Sequence, residues 1–250
     1  MWARKVKGVA PAAGFAQKRR MSHSPVLSTA RNITLLGAGR VQPGALAAAL
    51  AHAPELVAAD GGANRALALG HRPRAVIGDL DSLGPAARAA LAPGTIHHVG
   101  EQESTDFEKA LSRIEAPLVL GLGFLAPRID HQLAAFSVLL RYPHRRCVLI
   151  GQSDLCFLCP PALRLDLRQG TRVSLFPLAP VGGESEGLAW PIAGIAFAPG
   201  GRIGTSNRVA HGPVALRMGA PAMLVLVPRG ALDAVVAGLG AAPPWPAEAG

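Results

Sequence analysis

Residues 56–82 read LVAADGGANRALALGHRPRAVIGDLDS. Two short apolar runs, Leu56–Ala59 and Ala75–Gly78, flank a segment rich in Ala and Leu, Ala63–Leu69. Continuous apolar runs that are separated by a helical segment are typical of strands buried on both faces. The stretch therefore predicts a strand–helix–strand unit of a parallel sheet, with an Asp directly after each strand.

The same alternation continues on both sides of this unit, from Asn32 to about Ile150. The further predicted strands are Ile33–Gly37, Ile96–Val99, Leu118–Leu122 and Val148–Ile150. The further predicted helices are Ala45–Ala51, Ala86–Leu91, Phe107–Ile114 and Ile129–Arg141. The pattern predicts an α/β fold in which residues 31–152 form a parallel-sheet nucleotide-binding domain, because ligands of such sheets bind at the carboxyl ends of the strands.

The pattern changes after Gly151, where Pro, Gly and β-branched residues become more frequent. Short apolar runs then follow one another without helical spacers: Leu163–Leu167, Arg172–Leu178, Ile192–Phe197, Val214–Met218 and Met223–Val227. Residues 153–230 are therefore predicted to form a small antiparallel β-sandwich domain. Residues 231–250 are assigned to a tail, which we expect to be loose from Leu239 onward because of its prolines.

Composition and charge exclude several classes of protein. The chain has 250 residues, of which 50% are hydrophobic, so disorder is not expected. No apolar run approaches the roughly 18–20 residues that span a bilayer, and we predict a cytoplasmic protein. The formal charge is +9, but residues 1–40 hold eight basic residues and no acid, which leaves 17 basic and 16 acidic residues elsewhere. A nearly neutral globular part does not predict nucleic-acid binding.

The basic start of the chain and its cysteines have simple interpretations. Residues 1–30 lack the apolar core of a secretory signal and resemble a transit peptide only weakly, so we predict a disordered leader, with Met21 as an alternative start.

Cys156 and Cys159 have the spacing of a redox or zinc pair, but no second pair follows. They are interpreted as small core residues of a strand.

Four aspartates stand at the ends of predicted strands or at the start of a predicted helix: Asp60, Asp79, Asp81 and Asp106. Carboxylates at one edge of a sheet repel one another, and a hard divalent cation such as Mg²⁺ neutralises them. The glycines after Asp60 allow the backbone to approach a phosphate. The sequence therefore predicts a metal–nucleotide site, although any single Asp could instead cap a helix.

A competing motif is Gly37-Ala38-Gly39, which ends the first strand of the α/β segment and precedes Asp60 by 21 residues from Gly39. This spacing is similar to a dinucleotide fingerprint, but the third glycine position holds Gln42. The fingerprint also leaves the other three aspartates without a role, so NAD binding is not favoured.

Six short motifs resemble those of thiamine pyrophosphokinases, in order and at suitable spacing over about residues 32–230. They are Ala59-Asp60-Gly61-Gly62-Ala63-Asn64, Ile77-Gly78-Asp79-Leu80-Asp81-Ser82, Ser104-Thr105-Asp106-Phe107-Glu108-Lys109-Ala110, Arg128-Ile129-Asp130-His131, Gly187-Leu188-Ala189-Trp190-Pro191 and Gly204-Thr205-Ser206-Asn207. The resemblance implies transfer of pyrophosphate from ATP to the hydroxyl of thiamine, with Mg²⁺ as the cofactor. It also implies a homodimer in which thiamine lies between the α/β domain of one subunit and the β domain of the other.

The resemblance assigns roles to individual residues. It implies that the catalytic residues Asp60, Asp79, Asp81 and Asp106 surround the metal and the ATP phosphates, with Asp79, Asp81 and Asp106 as metal ligands. The implied nucleotide-binding residues are Gly61, Gly62, Asn64, Gln102, Thr105, Arg128 and Asp130. The implied thiamine-binding residues are Ser206, Asn207 and Trp190, although Trp190 could instead be a core residue of the sandwich.

The sequence departs from the family pattern at three places, and two other functions stay open. Glu103 stands where the family often has Asp, Ala126-Pro127 replaces paired glycines, and Arg208 stands where many members have Glu. The open alternatives are a pyrophosphokinase for another alcohol, such as a hydroxymethylpterin, and a nucleotide- or thiamine-binding protein without catalysis.

Overall fold

The computed structural model describes residues 24–247 except Pro43 and Ala126, so most of the predicted leader lies outside the described residues. The strands are β1 (Leu27–Ser28), β2 (Ile33–Leu36), β3 (Glu55–Ala59), β4 (Ala75–Gly78), β5 (Ile96–His98), β6 (Ile114–Glu115), β7 (Val119–Leu122), β8 (Cys147–Ile150), β9 (Asp154–Leu158), β10 (Ala162–Leu165), β11 (Arg172–Pro177), β12 (Gly183–Glu186), β13 (Gly204–Arg208), β14 (Val214–Met218) and β15 (Met223–Pro228). The helices are α1 (Ala45–His52), α2 (Gly62–Ala68), α3 (Pro85–Ala90), α4 (Asp106–Leu111), α5 (Ile129–Arg141) and α6 (Leu232–Ala241).

A ten-stranded sheet is the centre of the fold, with the strand order β13-β11-β15-β9-β8-β7-β2-β3-β4-β5. The pairings from β8 to β5 are parallel, whereas those from β8 to β13 are antiparallel. The α/β class is therefore confirmed, but the sheet is mixed and not a parallel sheet alone. The change of direction occurs because only three residues separate β8 from β9, and a parallel crossover needs a dozen or more.

The predicted β segment contributes to two sheets. Its strands β9, β11, β13 and β15 extend the central sheet, while β10, β14 and β12 form a separate three-stranded sheet. Buried side chains of both, among them Leu163, Leu216 and Val225, belong to one apolar cluster, so the two sheets pack on each other.

The predicted strand over Ile192–Phe197 is wrong. This segment forms turns, and its only bridges within the described residues are those of Phe197, with Val181 and Arg202. Pro191 precedes it and Gly194 has a left-handed backbone with a φ of 77°, so the segment cannot continue a ladder. The apolar residues at its two ends are nevertheless buried.

Both ends of the described chain are packed onto the fold. Residues 27–28, which the sequence analysis assigned to the leader, form β1 and pair with β6. Instead of the expected loose tail, α6 buries an apolar face that includes Leu239, and Trp245 donates its indole N–H to the carbonyl oxygen of Cys159 at 2.8 Å. All three cysteines are buried and make no disulfide. Among the described residues, every helix is too short or too polar to pass through a bilayer.

Candidate active site

Asp60 lies at the carboxyl end of β3, where two glycines allow the chain to bend sharply. Its backbone has a φ of 42° and its N–H donates to the carbonyl oxygen of Ile77 on the neighbouring strand at 3.0 Å. A Cβ at Gly78 would lie only 2.7 Å from the Cβ of Asp60, so glycine is required for this close approach. The Asp60 residue is 1% exposed, and its Oδ1 has no hydrogen-bond partner within the described part of the chain. An orphaned buried carboxylate oxygen is the position that a cation would satisfy.

Asp79 and Asp81 follow the adjacent strand β4 and meet Asp60 across the sheet edge. One carboxylate oxygen of each of these three residues lies within 4.8 Å of the others. Asp79 Oδ1 accepts from the backbone N–H of Asp81 at 3.4 Å, and Leu80 between them has a φ of 66°. Three convergent oxygen ligands, one of them buried and unpartnered, fit a hard divalent cation.

Asp106 is beside this group but is not one of its three members. It is the first residue of α4, and Thr105 caps the helix by accepting from the N–H of Glu108 at 3.3 Å. Burial raises the pKa of Asp106, and the negative charges of Asp60 and Asp79 raise it further. The closest group of carboxylates therefore contains Asp60, where the sequence analysis had given Asp106 as a metal ligand.

Lys109 is a residue of the site that the sequence analysis did not assign. Its side chain is 2% exposed, and its Nζ is 2.6 Å from Asp79 Oδ2 and 4.0 Å from Asp106 Oδ1. The hydrogen bond from Lys109 holds the pKa of Asp79 below its ordinary value. The signal in the sequence was the spacing of Asp106 and Lys109, because residues three apart on a helix share a face.

Two of the predicted nucleotide-binding residues, Gly62 and Asn64, lie against the backbone of neighbouring elements. A Cβ at Gly62 would overlap the carbonyl oxygen of Leu36, so this glycine allows α2 to pack directly on the end of β2. Asn64 donates to the carbonyl oxygen of Ser82 at 2.6 Å and accepts from the N–H of Gly84 at 3.0 Å. Its amide thus anchors the loop that carries Asp79 and Asp81.

The other predicted nucleotide contacts lie on two sides of the site. Gln102 is within 3.4 Å of Asp79 Oδ2. A Cβ at Gly61 would lie 3.1 Å from the Cβ of Ser82. Arg128 and Asp130 are exposed and pair with each other at 2.5 Å, which lowers the pKa of the Asp130 carboxyl.

A cavity of about 310 Å³ opens at the carboxyl ends of β2, β7 and β8. Its lining includes Arg40 and Gln42 after β2, Gly123 after β7, and Gln132 on α5. In the sheet, β2 has β3, the next long strand of the chain, on one side and β7, a later strand, on the other. The cavity is therefore at the topological switch point of the parallel strands, which is where ligands of α/β sheets bind.

The predicted thiamine residues lie on β13 and beside it, at the opposite edge of the ten-stranded sheet. Trp190 is 56% exposed and is therefore not a core residue, and the Arg208 guanidinium lies over its ring at 5.3 Å. Asn207 is buried, and its amide bonds both the N–H and the carbonyl oxygen of Trp190, at 3.2 and 2.7 Å. Ser206 has a left-handed φ of 63° and donates its N–H to the hydroxyl of Ser174. Asn207 thus holds the Trp190 backbone in place.

The fold and the site together define an α/β protein with a carboxylate cluster at the carboxyl edge of its parallel strands and a second, β-rich half. Residues 46–150 match the family described as "Thiamin pyrophosphokinase, catalytic domain". The whole proteins that match this chain are thiamine pyrophosphokinases as well, so the chain is similar to this family both within and beyond the matched segment. The resemblance predicted from the sequence motifs is confirmed.

Two curated relatives are plant enzymes. Thiamine pyrophosphokinase 1 of Arabidopsis thaliana is 29% identical over 192 residues, covering 63% of this chain and 72% of the relative. Thiamine pyrophosphokinase 1 of Oryza sativa subsp. japonica is 28% identical over 187 residues, covering 61% and 71%. Both alignments span most of the relative.

Solved structures share the fold at lower identity. Thiamin pyrophosphokinase from Candida albicans superposes with a TM-score of 0.68 and 15% identity, covering 80% of this chain and 89% of that one. Thiamine pyrophosphokinase from Bacillus subtilis gives 0.65 and 19%, covering 79% and 98%. At these identities the structures support the fold, whereas the similarity to the family rests on the sequence comparisons.

Proposed function

We propose that this protein transfers the pyrophosphoryl group of ATP to the hydroxyl of thiamine, producing thiamine diphosphate and AMP. The observation that carries the proposal is the convergence of Asp60, Asp79 and Asp81 around an unpartnered buried oxygen, in a chain that matches a thiamin pyrophosphokinase catalytic domain. A binding protein without catalysis has little use for so much negative charge in one place. The relatives also favour thiamine over another alcohol as the acceptor.

The proposed cofactor is Mg²⁺, held by Asp60, Asp79 and Asp81. Mg²⁺ prefers a few carboxylates together with waters and substrate phosphates, and these three residues offer that donor set. A bound Mg²⁺ would neutralise charge that develops on the phosphoryl oxygens. The residues of the chain itself supply position: Asp79 is fixed by Lys109, and the loop of Asp79 and Asp81 is anchored by Asn64.

The nucleoside of ATP is proposed to occupy the cavity at the switch point. This cavity lies beside β2, and β2 is the neighbour of β3, so a triphosphate that leaves the cavity can reach Asp60 across one strand end. Arg128 stands at the start of α5, close in sequence to the lining residue Gln132, and its planar guanidinium suits a bidentate phosphate contact. A phosphate would compete with Asp130 for this arginine.

The acceptor end of the site requires a second subunit. β13 and β3 are seven strand spacings apart in the sheet, which is roughly 30 Å at the usual spacing of about 4.8 Å. In-line attack needs the hydroxyl within about 3–3.5 Å of the phosphorus. Thiamine held at Trp190 and Ser206 therefore cannot reach ATP on the same chain, and we propose a homodimer in which these residues face the carboxylates of the partner.

Catalysis is proposed to rest on positioning and electrostatics. The thiamine hydroxyl attacks the β-phosphorus in line and AMP leaves. Arg128 meets part of the charge on the phosphates, and a cation held by the carboxylates would neutralise more of it. Either Asp60 or Asp106 could accept the hydroxyl proton. Asp106 is better placed, because its side chain is 48% exposed and lies outside the group of three proposed ligands, whereas Asp60 is buried within it.

The direct test is incubation with ATP, Mg²⁺ and thiamine, followed by chromatography of the products. We expect AMP and thiamine diphosphate in equal amounts; ADP would instead mean transfer of a single phosphoryl group. A hydroxymethylpterin offered in parallel tests the rival acceptor. Asp81→Asn should abolish turnover with the fold intact, and Asp166→Asn, an exposed carboxylate on the distant loop after β10, should not.

Mixing two defective variants tests the shared site. Asp81→Asn damages the carboxylate half and Trp190→Ala the acceptor half, so a heterodimer of the two has one intact site. At thiamine concentrations well below the KM, where Trp190→Ala is several-fold slower than wild type, random reassociation should give about a quarter of the wild-type activity plus about a quarter of that of Trp190→Ala. Activity that never exceeds the mean of the two variants would contradict a shared site.

The cytoplasmic location stays a prediction, which fractionation of cells that express the native gene would test.

A further inference from the structure

Lys109 is a buried cation in the middle of the carboxylates. Its side chain is 2% exposed, and lysine is almost never this buried unless it is paired. The ammonium lies 2.6 Å from Asp79 Oδ2 and 4.0 Å from Asp106 Oδ1. It therefore bridges the end of β4 and the start of α4, and it contacts the Asp79 oxygen that does not accept from the Asp81 N–H.

The two oxygens of Asp79 have different partners. Oδ2 accepts from Lys109 Nζ at 2.6 Å and from Gln102 Nε2 at 3.4 Å, so both of these hydrogen-bond donors belong to the protein. Oδ1 accepts only a weak bond at 3.4 Å from the backbone N–H of Asp81. The carboxylate is thus oriented with one oxygen bound to the lysine and the other directed to the side of Asp81.

Helix α4 is held so that Lys109 cannot easily withdraw. Glu108, its neighbour, is buried and pairs with Arg141 on α5 at 2.7 Å. Tyr142 also donates its hydroxyl to Glu108 at 3.2 Å, and Thr105 caps the first turn. These contacts fix the rotation of the helix, and with it the face that carries Asp106 and Lys109.

We propose that Lys109 is a positioning residue of the metal site, whose ammonium occupies the place of a second cation between Asp79 and Asp106. Four carboxylates would otherwise attract two divalent ions. With the lysine present, the cluster binds one divalent ion, on the side of Asp60 and Asp81. This inference rests on the proposed function for the identity of the site, but the binding of a metal ion to the protein alone tests it.

The test counts Mn²⁺ ions bound by the protein without nucleotide, from the signal of free Mn²⁺ in electron paramagnetic resonance. Wild type should bind one ion per chain. Lys109→Met removes the positive charge beside Asp79 and Asp106, so these carboxylates should attract a second ion. Lys109→Arg retains a cation and should keep the count at one. Arg113→Met is the matched control, since Arg113 is a buried cation two residues beyond the end of α4 that contacts the Lys109 carbonyl oxygen and Ser112.

Thermal unfolding supplies a second readout that a merely structural role would not change. Without metal, Lys109→Met should melt about 10 °C below wild type, because the buried ion pair of Lys109 with the largely buried Asp79 carboxylate is lost. Added Mn²⁺ should restore most of this loss. Arg113→Met should also melt lower, but Mn²⁺ should raise its melting temperature by no more than that of wild type.

The outcomes separate this inference from the proposed function. Two ions bound by wild type would overturn it, even if Lys109→Met did not fold. A Lys109→Met protein that binds one ion and melts lower irrespective of Mn²⁺, as the control does, would also overturn it. If wild type produced no thiamine diphosphate yet the ion counts were one and two, the role of Lys109 would stand and the proposed function would fall.

Discussion

Replacement of Asp60 by Asn should make the metal-free protein more stable and remove its response to Mg²⁺. Asp60 is 1% exposed, its Oδ1 lacks a partner, and one of its oxygens lies within 4.8 Å of the Asp79 and Asp81 carboxylates. Two like charges 4.8 Å apart repel by about 3.5 kcal/mol at an effective dielectric constant of about 20. Asn has nearly the same volume and carries no charge, and its amide can donate to either neighbour.

The net gain is smaller than this repulsion, because other groups already offset part of it. Lys109 pairs with Asp79, and Asp81 is exposed to solvent, so we expect about 1 kcal/mol from relieved repulsion. Giving partners to a buried group that lacked one adds about 1 kcal/mol. The free energy of unfolding should therefore rise by about 2 kcal/mol, and the melting temperature by about 4–8 °C.

Circular dichroism melts in EDTA and in Mg²⁺ measure both effects. Wild type should melt higher in Mg²⁺, whereas Asp60→Asn should melt at the same raised temperature in both. Asp81→Asn, at an exposed position of the cluster, should gain less in EDTA. Asp166→Asn, outside the cluster, should behave as wild type. An Asp60→Asn protein that melts below wild type in EDTA and still responds to Mg²⁺ would refute the reasoning.

Three further predictions follow from the contacts. Gly62→Ala should lower the free energy of unfolding by about 3 kcal/mol in urea titrations and reduce activity, since its Cβ would overlap the carbonyl oxygen of Leu36. Trp190→Ala should raise KM for thiamine several-fold without changing the melting temperature, whereas Arg208→Glu should lower that KM, because the guanidinium competes with the thiazolium for the ring. Burial raises the pKa of Cys156 to about 12, so the native protein should resist iodoacetamide at pH 8 and react once denatured.

Each of these has a control within the chain. Gly94→Ala adds a Cβ in open space and should be neutral in urea. Arg168→Glu makes the same charge change as Arg208→Glu on an exposed loop and should leave the KM for thiamine unaltered. Stoichiometric alkylation of the native protein would show that at least one thiol is accessible, contrary to its burial.

The apolar elements of the fold could be predicted from the sequence, and the polar ones could not. The predicted bounds of β4, β14 and α5 agree with the structure residue for residue. The two strands are defined by their buried side chains, and α5 by the apolar face that ends in Ala135, Val138 and Leu139. β12 and β13 have few apolar residues and lie at sheet edges, so their extended form comes from pairing with a neighbour. Nothing in their own residues predicts that pairing.

The carboxylates of the site could be predicted because parallel strands end at one edge, which brings Asp60 together with Asp79 and Asp81. Lys109 was missed because a lysine in a short helix usually extends into solvent. The amides of Asn64 and Asn207 are the converse case, in which residues predicted to contact a ligand bond the protein itself. Both stand in family motifs as candidate ligand contacts, yet both bond the backbone of a neighbouring loop, and a sequence does not distinguish these uses.

Strained backbone conformations occur in both halves of the proposed site, which are far apart in the sheet. Asp60, Leu80 and Ser206 are the three non-glycine residues with a positive φ in the described part of the chain. Such residues cost about 1–3 kcal/mol each and persist where the surrounding structure imposes them. Two of them lie within the carboxylate cluster, and the third lies on β13 beside Asn207, seven strands away. Incidental strain would be expected anywhere in the turns, but here it is confined to the carboxylate cluster and to β13, which are the two parts proposed to meet across subunits. This distribution is independent of the family comparison, and it supports the same two sets of residues as the working parts of the enzyme.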